Sequence, residues 1–302
     1  MRVGGQAVME GVLMRSPNFW GMAVRTPAGN VDVQAEPFRS ITRKSKLFRL
    51  PIIRGFLSLA ETLWLGMKAL TLSTNVALGE EEDLSKKEIA ATMLFGLGLA
   101  FLLFLVVPVW GTKGLGSFLG GIENPILFNL VEGFLRILVF VAYLLLITAV
   151  SKDIKRFFAY HGAEHKAIKV YERGEELVPE NARKLDTSHV RCGTSFVLYV
   201  LVLSILVFSL LPIDWWVEAV LSRVVVIPLV AGLAFEFIMW SARHQGSAIV
   251  RALIWPGLQL QKLTTREPTD DQVEVAMASL KEVLAKEDEA RITPDATNKL
   301  VL

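Results

Sequence analysis

The chain has 302 residues, 52% hydrophobic and 21% charged, with a formal net charge of +2. That is too apolar for an ordinary soluble domain, and the near-neutral balance excludes a nucleic-acid binder built on a global basic field. A single cysteine, Cys192, excludes an intrachain disulfide framework.

The opening segment, MRVGGQAVMEGVLMRSP, lacks the apolar core of a signal peptide. Membrane insertion is therefore expected to use internal helices. Gly4-Gly5 permits close backbone approach, and Glu10 and Arg15 are candidates to enter a shared polar site. Otherwise this segment reads as a flexible start with a strand. Residues 22–38 read as a small hairpin: MAVRT and VDVQ flank the turn Pro27-Ala28-Gly29-Asn30. A lone hairpin is marginal, so it is expected to pack on something.

Ile52 to Leu72 is amphipathic. Arg54, Ser58, Glu61 and Lys68 form a polar stripe, and Phe56, Leu57, Leu63, Trp64 and Met67 fill the rest. A helix lying in the membrane interface fits better than a span.

Four runs are long and apolar enough to cross roughly 30 Å of hydrocarbon: Ile89–Trp110, Ile126–Val150, Thr194–Leu211 and Val217–Trp240. The second carries only Glu132 and Arg136, an i, i+4 pair. The fourth carries Glu218, Arg223 and Glu236. Trp110, Trp215, Trp216 and Trp240 sit at or beside span ends, as amphipathic rings prefer. Lys and Arg number twelve in residues 1–88, nine in 151–193 and eight in 241–302, but one in 111–125 and none in 212–216. The positive-inside rule then places both termini and the three basic segments in the cytosol. The expected fold class is mainly α: a polytopic membrane protein with four transmembrane helices, interfacial amphipathic helices and a small N-terminal β-hairpin. The organisation is a cytosolic segment 1–88, spans in 89–150, a cytosolic segment 151–193, spans in 194–240, and a cytosolic segment 241–302. Within the last segment, Ala248–Leu263 is a second interfacial candidate interrupted at Pro256-Gly257. Thr269–Lys286 reads as a short soluble amphipathic helix, and the last dozen residues as loose.

The central segment carries the chemistry. Only four histidines occur, and three of them fall with Cys192 inside 32 residues. His161-Gly162-Ala163-Glu164-His165 has the H-x-x-E-H spacing. On a helix this sets two imidazoles one turn apart on one face, with a glutamate placed as a general base. Ser151 and Asp153 are good caps for such a helix. Stepping about 100° per residue, Phe157, Phe158, His161, Glu164, His165 and Ile168 share an arc of roughly 120°. Lys155, Arg156, Lys166 and Lys169 fall outside it. The histidines thus look inward with the apolar residues. Downstream, His189-Val190-Arg191-Cys192 places imidazole and thiol at i, i+3 directly before the third span, both good ligands for zinc or a similar divalent metal. Asp186 or a backbone carbonyl is a candidate to hold a ring N–H behind the ligands. Glu236, about one turn from the cytosolic end of the fourth span, is a further candidate ligand or base, with His244 behind it. The plain alternatives are a structural polar cluster without metal, a pH sensor, and for Cys192 an inert buried thiol.

The chain also resembles the YqhQ family of bacterial membrane proteins, which carry a domain of unknown function. The resemblance rests on GGQAVMEGVLMR at 4–15, YHGAEHKAI at 160–168, the stretch from Tyr171 to Asn181, HVRCGTSF at 189–196 and LQKLTTREP at 260–268. It implies a metal-dependent enzyme in a bacterial cytoplasmic membrane. Residue by residue it implicates His161, Glu164, His165, His189, Arg191 and Cys192, and it supplies no substrate.

The reading that combines these is a membrane-integral, metal-dependent hydrolase acting at the cytosolic face. His161 and His165 would hold the metal, His189 or Cys192 would complete the site, Glu164 would act as base, and Arg191 would stabilise developing charge. Its partners are the lipid bilayer and a lipid-linked or membrane-protein substrate. A non-catalytic membrane adaptor or scaffold whose cluster holds a structural metal or docks a partner is the alternative. A small transporter using Glu132, Arg136, Arg223 and Glu236 is a further one.

Overall fold

The computed structural model describes residues 1, 3–79, 86–210 and 216–292, with backbone alone for 86, 89 and 216–225. The fold is mainly helical, with a four-stranded antiparallel sheet at the N-terminus.

The sheet is larger than the expected hairpin. Strands β1 (Gly4–Val8), β2 (Gly11–Arg15), β3 (Phe19–Arg25) and β4 (Val31–Pro37) form a meander in sequence order. The predicted hairpin is its β3–β4 half. The opening segment, expected to be flexible, supplies β1 and β2, joined by a tight turn at Met9-Glu10. Alternation along the strands explains why this segment is ordered. Ala7, Val12, Met14 and Ala23 point to one face. Val8, Leu13, Trp20, Met22 and Val24 point to the other, and all are buried. Both faces are covered.

On one face lie α5 (Lys152–Glu172) and α10 (Asp270–Ile292). The C-terminal helix is therefore no solvated appendage. It is longer than predicted, and Val273, Ala276, Met277, Leu280 and Val283 are buried in the main core. Gly21 lets it approach: a Cβ there would stand 2.6 Å from Val283 Cγ2. The last residues, from 293 on, lie outside the described residues.

The opposite face is covered by α1 (Pro51–Leu78), through Leu65 and Ala69. This helix contains the predicted amphipathic stretch, and its polar stripe points inward. Glu61 is buried and accepts hydrogen bonds from Arg15 (3.0 Å), Ser40 Oγ (3.0 Å) and the Ile41 N–H. Arg54 pairs with Glu236 of α8 (Trp216–Ser241). The outward stripe is apolar: Phe56, Leu63, Trp64, Met67 and Leu70 are all exposed. At the α1–α8 crossing, Gly55 and Gly232 meet so closely that a Cβ on Gly232 would stand 2.4 Å from the Ile52 carbonyl.

Among the described residues, three helical stretches are long and apolar enough to cross a membrane by length and composition: Ala90–Phe118, Pro125–Val150 and Gly193–Leu210. The first overruns its predicted end at Trp110. It joins α2 (Lys86–Phe101) to α3 (Val107–Phe118) through a π-helical segment, Leu102–Val106. The second is α4 and the third α7. The fourth predicted span coincides with α8, of which Val226–Ser241 is a shorter apolar stretch. The turn 211–215 and the side chains of Glu218 and Arg223 lie outside the described residues. Glu132 and Arg136 form the expected ion pair, buried in α4. Helix α9 (Ala248–Thr264) runs unbroken through Pro256, against the expected interruption. Its Val250, Ile254, Gly257 and Gln261 face inward, while Ile249, Leu253 and Trp255 are exposed.

Candidate metal centre

Helix α5 starts at the predicted cap: the Ser151 hydroxyl accepts the Ile154 N–H at 3.1 Å. From Phe158 to Val170 it is almost wholly buried, because the sheet, α10 and the residues after α9 surround it. The burial extends beyond the predicted arc. Lys166, grouped on the sequence with the solvated lysines, is 2% exposed and ion-paired with Glu267.

Gly162, between the two histidines, is the point of closest approach. A Cβ there would stand 2.1 Å from the Arg266 carbonyl oxygen. The residues after α9 can therefore lie directly on α5, and the Arg266 N–H donates to the Phe158 carbonyl at 2.9 Å. This contact orients the first imidazole. His161 Nδ1 donates to the Thr264 carbonyl (2.8 Å), and His165 Nδ1 donates to the Thr187 carbonyl (2.6 Å). A carbonyl only accepts, so each Nδ1 carries a proton, which leaves Nε2 as the ring atom that could offer a metal its lone pair. Backbone carbonyls thus take the orienting role considered for Asp186, whose carboxylate binds Lys169 and Ser188 instead.

Cys192 meets these rings from the start of α7 (Gly193–Leu210). Its Sγ lies 3.3 Å from His161 Nε2 and accepts the Thr194 N–H at 3.4 Å. One atom each from His161, His165 and Cys192 lies within 4.8 Å of the other two. The turn carrying Cys192 is held by Gln261, fully buried in α9. Its amide accepts the His189 N–H and donates to the His189 carbonyl, both at 2.8 Å, and donates to Ser195 Oγ at 2.7 Å.

His189 stands at the edge of the cluster, its ring 5.5 Å from that of His165. Its Nδ1 accepts the Arg191 backbone N–H (3.3 Å), so Nε2 carries the proton and faces Glu172 Oε2 at 3.4 Å. Both ring nitrogens are thus engaged by the Arg191 N–H and Glu172. Burial holds the ring's pKa below its ordinary value. Arg191 donates to Glu172 (2.6 Å) and to the Val3 carbonyl (3.2 Å). The His189 hydrogen bond, with Arg191 beside it, holds the Glu172 carboxyl down at about 2.

Glu164 is buried, with Oε2 3.4 Å from His165 Nε2. Burial pushes its pKa up to about 7, against the opposing pull of His161 and Arg191. Gly5 makes this packing possible: a Cβ there would stand 2.8 Å from Glu164 Cγ. Glu236 stands apart, its carboxylate held by Arg54 at 2.6 Å and 2.7 Å. His244 is exposed and bonds the Trp240 carbonyl at 2.8 Å. Glu10 sits at φ 50, tied to Arg156 and to the Tyr160 hydroxyl (3.3 Å).

The donor chemistry fits a zinc-like ion. Two neutral imidazoles with tied Nδ1–H groups and one thiol are a usual set, and carbonyls behind histidine ligands are the usual support. In a tetrahedral site with bonds of about 2.0–2.3 Å, ligand atoms stand roughly 3.5 Å apart. The 3.3 Å pair already meets that, and the three donor atoms all lie within 4.8 Å of one another.

Sequence reasoning missed Glu172, Thr187, Gln261 and Thr264. Glu172 and the last two lie inside strings singled out for resemblance, 171–181 and 260–268, but nothing in their spacing tied them to the histidines. Thr187 and Thr264 act through backbone carbonyls, which no side-chain pattern reveals.

No solved structure matches the chain. It is 33% identical to the uncharacterized protein YqhQ of Bacillus subtilis (strain 168), over 94% of this chain and 92% of that one. Residues 50–286 match the family model described as "Protein of unknown function (DUF1385)". The chain belongs to this family, the one that includes the sequence resemblance to YqhQ.

Proposed function

We propose that the protein is a membrane-integral, metal-dependent hydrolase with its site at the cytosolic face of a bacterial cytoplasmic membrane. The observation that carries the reading is the convergence of His161, His165 and Cys192, with both Nδ1–H groups tied to carbonyls. Three protein donors with one position left over is the pattern of catalytic rather than closed structural sites. A divalent ion held there, zinc by donor type, supplies Lewis acidity to a water or a carbonyl oxygen.

The chain's own residues supply the rest. Glu164, buried with Oε2 3.4 Å from His165 Nε2, is the carboxylate placed to take and return a proton. Arg191 does not aim at the cluster; bound to Glu172, it balances charge behind Glu164. The three apolar helices and the outward apolar stripes of α1 and α9 support placement in and on a bilayer. Such placement favours a lipid-linked or membrane-protein substrate.

Metal analysis of the purified protein beside Glu164→Gln and His165→Ala tests the reading. Near-stoichiometric metal is expected in the wild type and in Glu164→Gln, with loss in His165→Ala. Wild type without stoichiometric metal after gentle purification would overturn it. The 3.4 Å approach of Glu164 to His165 Nε2 favours one second reading, in which Glu164 is a fourth ligand of a structural site in a non-catalytic adaptor. Loss of metal from Glu164→Gln would establish that instead. A reporter fused after Leu302 is expected to read cytosolic.

A further inference from the structure

A shallow, open groove of about 590 Å³ lies between the first two turns of α5 and the residues leading into α10. Lys155, Arg156, Arg266, Glu267, Thr269 and Gln272 line it, with Ala159 in the wall. Its charge is unbalanced. Arg156 is committed to Glu10, and Glu267 is neutralised by the buried Lys166. Lys155 and Arg266 leave two positive charges facing the opening, with a hydroxyl and an amide between them.

The position matters as much as the charge. Lys155 Nζ reaches back to the Ala149 carbonyl in the last turn of α4, at 3.4 Å. If α4 crosses the bilayer, as the proposed function holds, this ammonium lies where span meets headgroups. The cationic excess, the flanking donors and this depth fit one ligand chemistry.

We propose that this groove binds a phosphate group, carried by an anionic phospholipid headgroup or by a soluble phosphate-bearing ligand. Two cations flanking Thr269 and Gln272 suit the several acceptor oxygens of a phosphate. The segment that follows α9 serves both regions: the Thr264 carbonyl holds His161 and the Arg266 side chain lines the groove.

The test uses full-length protein in mild detergent and counts bound lipid by native mass spectrometry, with phosphatidylglycerol and phosphatidylcholine offered separately. Wild type is expected to retain phosphatidylglycerol in preference. Lys155→Gln with Arg266→Gln is expected to weaken retention roughly 30-fold, about a factor of five for each basic residue removed. Inorganic phosphate and glycerol phosphate are added as competitors. Displacement by them assigns the site to a soluble phosphate-bearing ligand; resistance assigns it to the lipid. Equal retention of both lipids by wild type, or undiminished retention by the double variant, overturns the proposal. Metal content of the double variant is measured in parallel. It reports folding and separates failure here from failure of the hydrolase reading, because neither substitution touches a metal donor.

Discussion

Gln261 and His189 are joined by two hydrogen bonds of 2.8 Å, from one side-chain amide to both backbone groups of a single residue. The pairing imitates a strand ladder and pins the start of α7 to α9. The clamp is buried, so it has no water to substitute for it. Gln261→Ala leaves the His189 N–H unpaired, at about 1–3 kcal/mol, while the His189 carbonyl keeps the Cys192 N–H at 3.2 Å. A fall in thermal stability together with weaker metal retention is expected, read by melting curves and metal analysis. Lower stability with unchanged metal retention would remove Gln261 from the support of the site.

Gly162→Ala tests the contact that aims His161. A methyl 2.1 Å from the Arg266 carbonyl cannot be absorbed by rotating a side chain, because the obstacle is backbone. Overpacking of this kind costs about 1–3 kcal/mol. The residues after α9 are expected to move off α5, carrying the Thr264 carbonyl with them. Melting temperature and metal content should fall together, and Gly4→Ala, with open space at its Cβ, should change neither.

Cys192→Ser tests the thiol as a donor. Cobalt-substituted wild type is expected to show a thiolate-to-cobalt charge-transfer band, and the serine variant to lack it while His161 and His165 still bind the ion more weakly. An unchanged band would place the sulfur outside the coordination sphere.

Glu172 predicts a pH dependence of stability. Its folded pKa, about 2, lies below its ordinary value of 4.5. A depressed carboxylate pKa stabilises the fold above the ordinary value, and that contribution is lost as pH falls through the folded one. The stability gap between wild type and Glu172→Gln should therefore be full above pH 4.5 and close toward pH 2. Denaturant unfolding followed by circular dichroism across that window checks it. A constant gap would mean that Arg191 and His189 do not depend on the carboxylate charge.

Arg54 and Glu236 predict coupling between α1 and α8. Each charge is only partly exposed, and removing one leaves the other against an apolar crossing. A double-mutant cycle with Arg54→Ala and Glu236→Ala should give a coupling of about 1–3 kcal/mol. Additive effects would show the pair to be solvent-screened.

What the sequence determined by itself was local and periodic. The four apolar runs, the cap at Ser151, the shared face of His161 and His165, and the β3–β4 hairpin follow from composition and spacing over a few turns or strands. The remainder depends on residues far apart in sequence. The N-terminal strands are ordered because α5, α10 and α1 cover both faces of the sheet. The polar stripe of α1 turns inward because Arg15 and Glu236 await it there. Cys192 rather than His189 joins the histidine pair because the Arg191 N–H occupies His189 Nδ1 and Glu172 faces Nε2. Lone pairs are allotted by neighbours, and neighbours are set by packing; spacing along the chain carries neither.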